Sequence, residues 1–219
     1  VVMIKKYFLL LLAAILLTGV HGQNRQVDLS QNIPLQDILK KAKKQKKHVL
    51  LDFGSPRCSP CLFIKNKIFT IDSVADFINE RFVSVDYTEG PEKKRLSKIY
   101  EVYTEPVLLI CDANGKVMHR MEGKCTAGEM MARLRQGLDV KNNLTAQKLM
   151  YDNGNRSSEF LINYLETLHI AGLRTQRDSV LHNIFSLSFH VDSLKTPKYW
   201  NVFLRYNESP VSQEGSYVF

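Results

Sequence analysis

The sequence predicts an α/β domain with helices on both faces of a mixed central sheet, followed by an all-helical extension. Segments with helical periodicity alternate with short apolar runs of strand length in the first part of the chain. An Asn114-Gly115 pair, the strongest short-range hairpin signal, joins the last two of these runs. Beyond Asp139 only helical patterns follow. We therefore expect a three-layer domain over residues 34–140 and a helical extension over residues 141–219.

The first 22 residues have the organisation of a secretory signal peptide. Lys5 and Lys6 precede an apolar run of eleven residues, and Val20 and Gly22 occupy the −3 and −1 positions of a cleavage site before Gln23. The run is short for a membrane span of about 20 residues, although a retained N-terminal anchor stays the alternative. The mature protein is therefore expected to be exported, to the periplasm.

Residues 23–33 are expected to be a linker, after which Pro34 opens a helix to about Lys46. This helix carries most of a run of six lysines in the eight positions from Lys40 to Lys47. Aromatic residues that could stack on bases are absent from the run, so we interpret it as a solvated helix face and expect no nucleic-acid partner. Weak attraction to an anionic membrane surface stays open. Loss of the signal peptide, with its two lysines and no acid, lowers the net charge from +8 to +6.

Strand and helix patterns alternate after this first helix. HVLLDF is an apolar run short enough to be a buried central strand. A helix begins after the loop GSPRCSPC, and Thr126 has the side chain of an N-cap for the last helix of the domain. The expected elements are a strand at 48–53, a helix from 62, a short helix at 73–82, a strand at 82–87, a helix at 92–103, two hairpin strands within 105–123 and a helix at 126–138.

The helical extension contains four amphipathic segments. Gly154 and Gly172 follow two of them and are typical helix stops. Because the sequence ends on SYVF with no polar tail, we expect the extension to be truncated. The four segments are 145–154, 158–172, 176–188 and 197–207.

The chain has four cysteines, of which Cys111 and Cys125 belong to the predicted hairpin region. Cys111 would lie beside the turn, opposite about Val117, whereas Cys125 lies far down the other arm. Their separation along the ladder would be about 20 Å, and a disulfide needs Cα atoms about 4.4–6.8 Å apart. A bond between them is therefore disfavoured, and we interpret Cys111 as a small buried apolar residue.

Cys58 and Cys61 form a C-x-x-C pair after the first predicted strand. Most structural zinc sites need four ligands, and this pair supplies two with no second pair nearby, so no metal is expected. A structural staple is also disfavoured, because closing so small a loop constrains the unfolded chain little. The remaining interpretation is a redox-active thiol–disulfide couple that needs no cofactor.

The neighbours of the pair favour redox chemistry. Cys58 stands where the loop enters a helix, so free N–H groups and the positive end of the helix dipole favour its thiolate. Arg57, and Lys65 further along the helix, are expected to add positive charge. Pro60 lacks an N–H and suits a first helical turn. Cys61, one turn inside the helix, would be more buried and act as the resolving thiol.

Asp52 is an acid inside an apolar strand, six residues before Cys58. Buried carboxylates usually have raised pKa values, so Asp52 is a candidate acceptor for the proton of Cys61. The alternative interpretation is a satisfied polar residue or a strand-end cap.

The segment VLLDFGSPRCSPC, followed some 45 residues later by YTEPVLLICDANGKV and MEG, resembles the thioredoxin superfamily over roughly residues 34–138. The resemblance implies a thioredoxin-like fold. It also implies that Cys58 is the attacking thiol, Cys61 the resolving thiol and Asp52 the buried proton acceptor. The helical extension resembles the tails of exported thioredoxin-family proteins of Bacteroidetes-type bacteria.

The same resemblance assigns the downstream motif. Pro106 corresponds to the family's cis-proline, which lets Glu105 pair with the substrate backbone, and Gly123 to the glycine that keeps the substrate groove open. Two departures alter the expected substrate surface: Arg57 replaces the family's Trp before the first cysteine, and Glu105 replaces a hydrophobic residue or Thr. Ser59-Pro60 also replaces the usual Gly-Pro between the cysteines.

We therefore expect an exported thiol–disulfide oxidoreductase of the protein-disulfide reductase or isomerase type. It would exchange disulfides with protein substrates through a mixed disulfide, act as a monomer and depend on a membrane-linked electron donor or acceptor. The alternative is a non-enzymatic scaffold that binds partners through its helical extension.

Overall fold

A computed structural model describes residues 25–187 and 196–206 of the chain. The predicted signal peptide therefore lies outside the described residues, as does the end of the extension. The described part contains a five-stranded mixed sheet with helices on both faces, followed by further helices. The predicted fold class is confirmed. Among the described residues, no helix is long and apolar enough to cross a membrane.

The elements follow the predicted order, with one addition at the start. The strands are β1 (Leu29–Gln31), β2 (His48–Phe53), β3 (Phe82–Tyr87), β4 (Val107–Cys111) and β5 (Val117–Glu122). The helices of the sheet domain are α1 (Leu35–Gln45), α2 (Ser59–Phe63), which continues into a π-helical turn (Ile64–Ile68), α3 (Asp72–Arg81), α4 (Gly90–Ile99) and α5 (Ala127–Leu138). Those of the extension are α6 (Leu144–Asp152), α7 (Ser158–Ile170), α8 (Arg174–Leu187) and α9 (Pro197–Tyr206).

The sheet has the order β1-β3-β2-β4-β5. The first three of these strands are parallel, and β4 is antiparallel to both of its neighbours. The Asn114-Gly115 turn joins β4 to β5 as predicted, with Gly115 at a φ of +86°. Thr126 caps α5 in a capping box with Glu129.

The prediction that residues 23–33 form a linker is wrong for the part that the structure describes. Residues 29–31 pair in parallel with residues 84–86 of β3, and the Val27 side chain is buried in the core. The physical reason is that β3 is buried along its whole length and would otherwise leave one row of backbone groups unpaired.

The helix predicted over 92–103 ends early. Its last residue is Ile99, and Glu101 takes a left-handed conformation with φ +53°. Ile99 and Tyr103 are exposed, with 56% and 83% of their surface accessible.

Two apolar cores lie on opposite faces of the sheet. Side chains of β2 alternate between them, because successive residues of a strand point to opposite faces. Val49, Leu51 and Phe53 pack with α1 and α4, whereas Leu50 packs with the π-helical turn, α3 and α5. Asp52 therefore points to the face that carries the helix of the C-x-x-C pair.

The helical extension has an apolar core of its own and also packs against β5. The Thr145 hydroxyl donates to the Val117 carbonyl (2.9 Å), and the Leu144 N–H donates to Nδ1 of His119 (3.2 Å). The Arg120 guanidinium donates to the Ala171 carbonyl (2.8 Å). These contacts join the extension to an edge strand of the sheet.

Candidate active site

Cys58 and Cys61 are joined by a disulfide at the start of α2. Cys58 is the N-cap residue and is half-buried, whereas Cys61 is only 2% exposed. The Cys61 N–H donates to Sγ of Cys58 (3.2 Å). The same N–H and the helix terminus are positioned to stabilise a Cys58 thiolate after reduction. Pro60 lies in the first turn of the helix, as predicted.

Asp52 lies on the side of the sheet that faces Cys61. Gly54 follows two residues later, so a side chain at this position would lie on the same face as Asp52. A Cβ atom on Gly54 would lie 3.1 Å from Sγ of Cys61. Asp52 is almost completely buried. The strand therefore places a buried carboxyl group beneath the resolving thiol.

The pKa of Asp52 is raised to about 7. Burial is the largest cause, and the negative charge of Asp86 is the second. The Lys65 ammonium opposes the shift, and Glu105 adds to it. A carboxyl group that titrates near neutral pH can accept a proton and return it under physiological conditions.

Asp86 and Lys65 form an ion pair beside Asp52. The Lys65 Nζ lies 2.5 Å from Oδ2 of Asp86, and the two side chains are 19% and 4% exposed. Lys65 was expected to add positive charge beside Cys58. Instead its ammonium group turns towards the sheet, because the buried Asp86 carboxylate needs a positive partner.

The peptide bond between Glu105 and Pro106 is cis, as the resemblance implies. This loop brings an oxygen of the Glu105 carboxylate within 4.8 Å of the sulfur atoms of both Cys58 and Cys61. The residue before the cis-proline therefore lies against the dithiol, 44 positions downstream of Cys61 in the chain.

Lys93 fixes the Glu105 side chain. Its ammonium group donates to Oε1 of Glu105 (2.5 Å) and to the carbonyls of Gly54 (2.7 Å) and Thr88 (3.1 Å). Partial burial of Glu105 opposes ionisation, but hydrogen bonds from Lys93 and Ser55 outweigh it and lower the pKa of Glu105. Glu105 is thus an oriented carboxylate at the edge of the site.

Gly123 lies next to the cis-proline. Its N–H donates to the Pro106 carbonyl (2.9 Å), and its φ of +81° is a conformation that favours glycine. The following Lys124 lies over the ring of Phe63 in α2, 3.9 Å from the ring centre. The structure therefore brings together three predicted residues, Glu105, Pro106 and Gly123, on one side of the dithiol.

Arg57 is exposed beside Cys58 and forms no ion pair within the described ranges. Leu62, directly after Cys61, is also exposed, at 42%. The surface around Cys58 thus combines a free positive charge with an accessible apolar side chain.

A cavity of about 610 Å³ lies between the loop before Pro106 and the helical extension. Tyr103 and Thr104 line it from the sheet domain, and Tyr151, Tyr164 and Arg174 from the extension. The extension therefore forms one wall of a depression that begins two residues from the cis-proline.

The remaining cysteines, Cys111 and Cys125, are free and buried. Cys111 lies opposite Val117, as predicted. Burial, followed by the nearby Asp112 charge, raises the pKa of Cys111 to about 12. Burial also raises the pKa of Cys125. Both thiols are therefore protonated at neutral pH and poor nucleophiles.

The sequence interpretation missed Asp86, Lys93 and Ser55. Asp86 had a signal, since FVSVDY, like HVLLDF, is an apolar strand that carries one acid. No sequence pattern indicated Lys93 or Ser55, because only folding brings these residues next to Glu105.

Comparison with known proteins identifies the domain. Residues 35–138 match the family model of the thioredoxin-like domain. No curated protein matches the chain.

Several solved structures are similar to part of the chain. One is a solution structure of a proposed disulphide-isomerase from Bacteroides thetaiotaomicron, with 27% identity, 54% of this chain and 98% of that chain covered, and a TM-score of 0.49. The DsbH oxidoreductase has 20% identity, coverages of 57% and 93%, and a TM-score of 0.44. A thioredoxin from Thermus thermophilus has 22% identity, coverages of 54% and 93%, and a TM-score of 0.47.

The family match covers the sheet domain, and the C-x-x-C pair lies at the start of its α2 helix, where a thiol–disulfide oxidoreductase requires it. Residues 35–138 of this chain therefore form a domain of the thioredoxin superfamily.

Proposed function

We propose that this chain is an exported oxidoreductase that exchanges disulfides with protein substrates through the Cys58-Ser59-Pro60-Cys61 motif. One observation carries the proposal. An accessible Cys58 at a helix N-terminus is paired with a buried Cys61, and Asp52 lies on the sheet face beneath them.

The first step is attack by Cys58 on a substrate disulfide. In the reduced protein the Cys58 thiolate is stabilised by the Cys61 N–H and the helix terminus. A new bond forms between Sγ of Cys58 and one substrate sulfur, the substrate disulfide breaks, and the other substrate sulfur leaves as a thiolate. The product is a mixed disulfide.

The second step releases the substrate. Asp52 accepts the proton of the Cys61 thiol. The Cys61 thiolate then attacks Sγ of Cys58 and displaces the substrate sulfur that is bonded to it in the mixed disulfide, which leaves as a thiolate. The substrate has then gained two electrons, and Cys58 and Cys61 have lost two in forming their disulfide. The reverse sequence oxidises a substrate dithiol.

The surroundings of the dithiol support a protein substrate. Exposed apolar and charged side chains flank Cys58, and the cavity beside Tyr103 continues the surface onto the helical extension. A polypeptide can contact both regions at once, whereas a small disulfide reaches only the sulfur atoms.

The pattern of residues 1–22 supports export to the periplasm. In that compartment a net reductase consumes electrons that must be supplied again, so we propose a membrane-linked electron donor, or an acceptor if the protein works as an oxidant. A measurement of the Cys58–Cys61 reduction potential against glutathione distinguishes these directions. A potential near −270 mV would favour a reductase and one near −120 mV an oxidant, which are about the extremes of related proteins.

The function is tested by replacing each cysteine. Cys58→Ser is expected to abolish reduction of insulin disulfides, and Cys61→Ser to accumulate covalent adducts with substrate proteins. Cys111→Ala is the matched control and should retain activity, because Cys111 is a free thiol buried in the core on the opposite face of the sheet. Wild-type protein without turnover at any glutathione ratio would overturn the proposal and favour the scaffold alternative.

A further inference from the structure

A third potential metal ligand lies beside the cysteine pair. One carboxylate oxygen of Glu105 and the sulfur atoms of Cys58 and Cys61 all lie within 4.8 Å of one another. The C-x-x-C motif alone supplies two ligands, and for that reason no metal is expected from the sequence. The loop that ends at Pro106 supplies a third, which the spacing of the cysteines could not reveal.

We propose that the reduced protein binds one Zn²⁺ ion through Cys58, Cys61 and Glu105. Two thiolates and a carboxylate are ordinary zinc ligands, with Zn–S distances of about 2.3 Å and Zn–O distances of about 2.0–2.2 Å. Three protein ligands leave the fourth tetrahedral position open. Cys58 and Glu105 are half-buried, so the three ligands are accessible from solvent.

The redox state of the cysteines controls this site. In the disulfide form neither sulfur is a thiolate, and a thiolate is the form of cysteine that binds a metal. In the reduced form Zn²⁺ binds the Cys58 thiolate and displaces the proton of the Cys61 thiol, and no electrons move. Zn²⁺ binding and disulfide formation therefore exclude each other, and bound Zn²⁺ should inhibit disulfide exchange.

The charges of Lys93 and Glu105 should have opposite effects on the affinity for Zn²⁺. The Lys93 ammonium group lies 2.5 Å from Oε1 of Glu105 and holds the carboxylate in place. A carboxylate has further lone pairs for a metal, but the positive charge of Lys93 repels a cation. Loss of that charge should therefore tighten Zn²⁺ binding, whereas loss of the Glu105 charge should weaken it.

This inference rests on a reducible Cys58–Cys61 disulfide, which is part of the proposed function. The first measurement is therefore a count of thiols in the full chain after reduction and anaerobic removal of the reductant. ZnCl₂ is then titrated against a chromophoric chelator. We expect one Zn²⁺ per reduced chain and none per oxidised chain at the same concentrations. Titration with CoCl₂ should give a thiolate-to-cobalt charge-transfer band in the reduced protein only.

Three variants distinguish the contribution of the ligand Glu105 to Zn²⁺ binding from the contributions of nearby and distant charges. Glu105→Gln should weaken Zn²⁺ binding at least about tenfold, whereas Lys93→Met removes a positive charge beside the cation and should strengthen binding several-fold. The control Glu89→Gln, which changes an exposed carboxylate outside the cluster, should leave binding unchanged. Circular dichroism checks that each variant is folded.

Equal affinities of the wild type and Glu105→Gln would overturn the three-ligand site and leave only binding by the thiols. Absence of Zn²⁺ binding by a chain with its thiols counted as reduced would also overturn it. Neither result affects the proposed function, which fails separately if the reduced chain shows no disulfide exchange in the absence of zinc.

Discussion

Asp52 and Asp86 lie directly opposite each other on the parallel strands β2 and β3, on the buried face of the sheet beneath the dithiol. Two carboxylates this close disfavour each other's ionisation. Burial is the largest cause that raises the pKa of Asp52 to about 7, and the negative charge of Asp86, which pairs with Lys65, is the second. The second acid thus tunes the proposed proton acceptor.

Replacement of Asp52 by Asn should slow the resolving step, because Cys61 loses its proton acceptor. We expect insulin reduction at pH 7 to fall about 100-fold and the mixed disulfide to accumulate. Stopped-flow quenching followed by mass spectrometry measures both. Asp37→Asn, at an exposed position in α1, is the control. Unchanged kinetics in the Asp52 variant would contradict the assigned role.

The same variant should alter the pH dependence of stability. The pKa of Asp52 is 3.8 unfolded and about 7 folded, so the folded state binds its proton more tightly. This contribution to stability is complete below pH 4 and is lost as the pH rises through 7. Between pH 4 and pH 8, the free energy of unfolding of Asp52→Asn should rise by up to about 4 kcal/mol relative to that of the wild type. Urea unfolding of the oxidised proteins measures the difference, and a constant difference would contradict it.

Loss of the Lys65 charge should destabilise the fold. Lys65→Met leaves the buried Asp86 carboxylate unpaired, which typically costs about 3–5 kcal/mol. The double variant Lys65→Met/Asp86→Leu should recover most of that loss, because an apolar pair can replace a buried ion pair. Lys40→Met breaks the exposed pair with Asp37 and should change stability by less than about 0.5 kcal/mol. If Lys65→Met lowers the free energy of unfolding no more than Lys40→Met does, the buried ion pair is not needed for stability.

His119 should make the protein sensitive to acid. It is completely buried and accepts the Leu144 N–H through Nδ1, and burial is the main cause that lowers its pKa from 6.5 to about 4. The unfolded chain therefore takes up a proton first, and stability is lost as the pH falls from about 6.5 to 4. His119→Gln should reduce this loss by up to about 3 kcal/mol, measured by urea unfolding at pH 4 and pH 7. Parallel profiles for the variant and wild type would contradict the prediction.

The four thiols of the reduced protein should differ sharply in reactivity. Cys58 is accessible at a helix terminus, whereas Cys111 and Cys125 are buried with raised pKa values. Brief treatment with iodoacetamide at pH 7 should modify Cys58 alone, and peptide mass spectrometry locates the label. Protein unfolded in urea should be modified at all four positions. Early labelling of Cys111 would contradict the buried position of its thiol.

Tyr103 should contribute to protein-substrate binding. Its side chain is 83% exposed and lines the cavity shared with the extension. Tyr103→Ala should raise KM for a protein disulfide up to about tenfold and leave turnover of a small aromatic disulfide unchanged. Ile99→Ala, at an exposed apolar residue that does not line the cavity, is the matched control. Equal KM values for the two variants would exclude Tyr103 as a contact.

Much of the sheet domain was predictable because its signals are local. The Asn114-Gly115 turn and the Thr126 cap act over a few residues, and the alternation of HVLLDF and FVSVDY with helical segments marks the layers. Strand β1 was missed because LSQ is three residues long and carries no apolar pattern. Its pairing is imposed by the free edge of β3.

The chemistry of the site was only partly predictable for a related reason. Cys58, Cys61 and Asp52 lie within one strand–loop–helix unit, so their spacing is informative. The Lys65–Asp86 and Lys93–Glu105 pairs join residues 21 and 12 positions apart on different elements. Nothing in the sequence favours one acid over another as the partner of a given lysine, so only the folded chain identifies these pairs.

The contact between the extension and β5 makes the boundary of the family match a poor place to divide the chain. A polypeptide ending at Leu138 would lose the hydrogen bond from Thr145 to the β5 backbone and one partner each of His119 and Arg120. An uncovered strand of this kind invites pairing between copies. With β5 covered, the free edge of the described sheet belongs to the three-residue β1. The helical extension thus covers the edge of the sheet at which a second copy of the chain could otherwise add a strand.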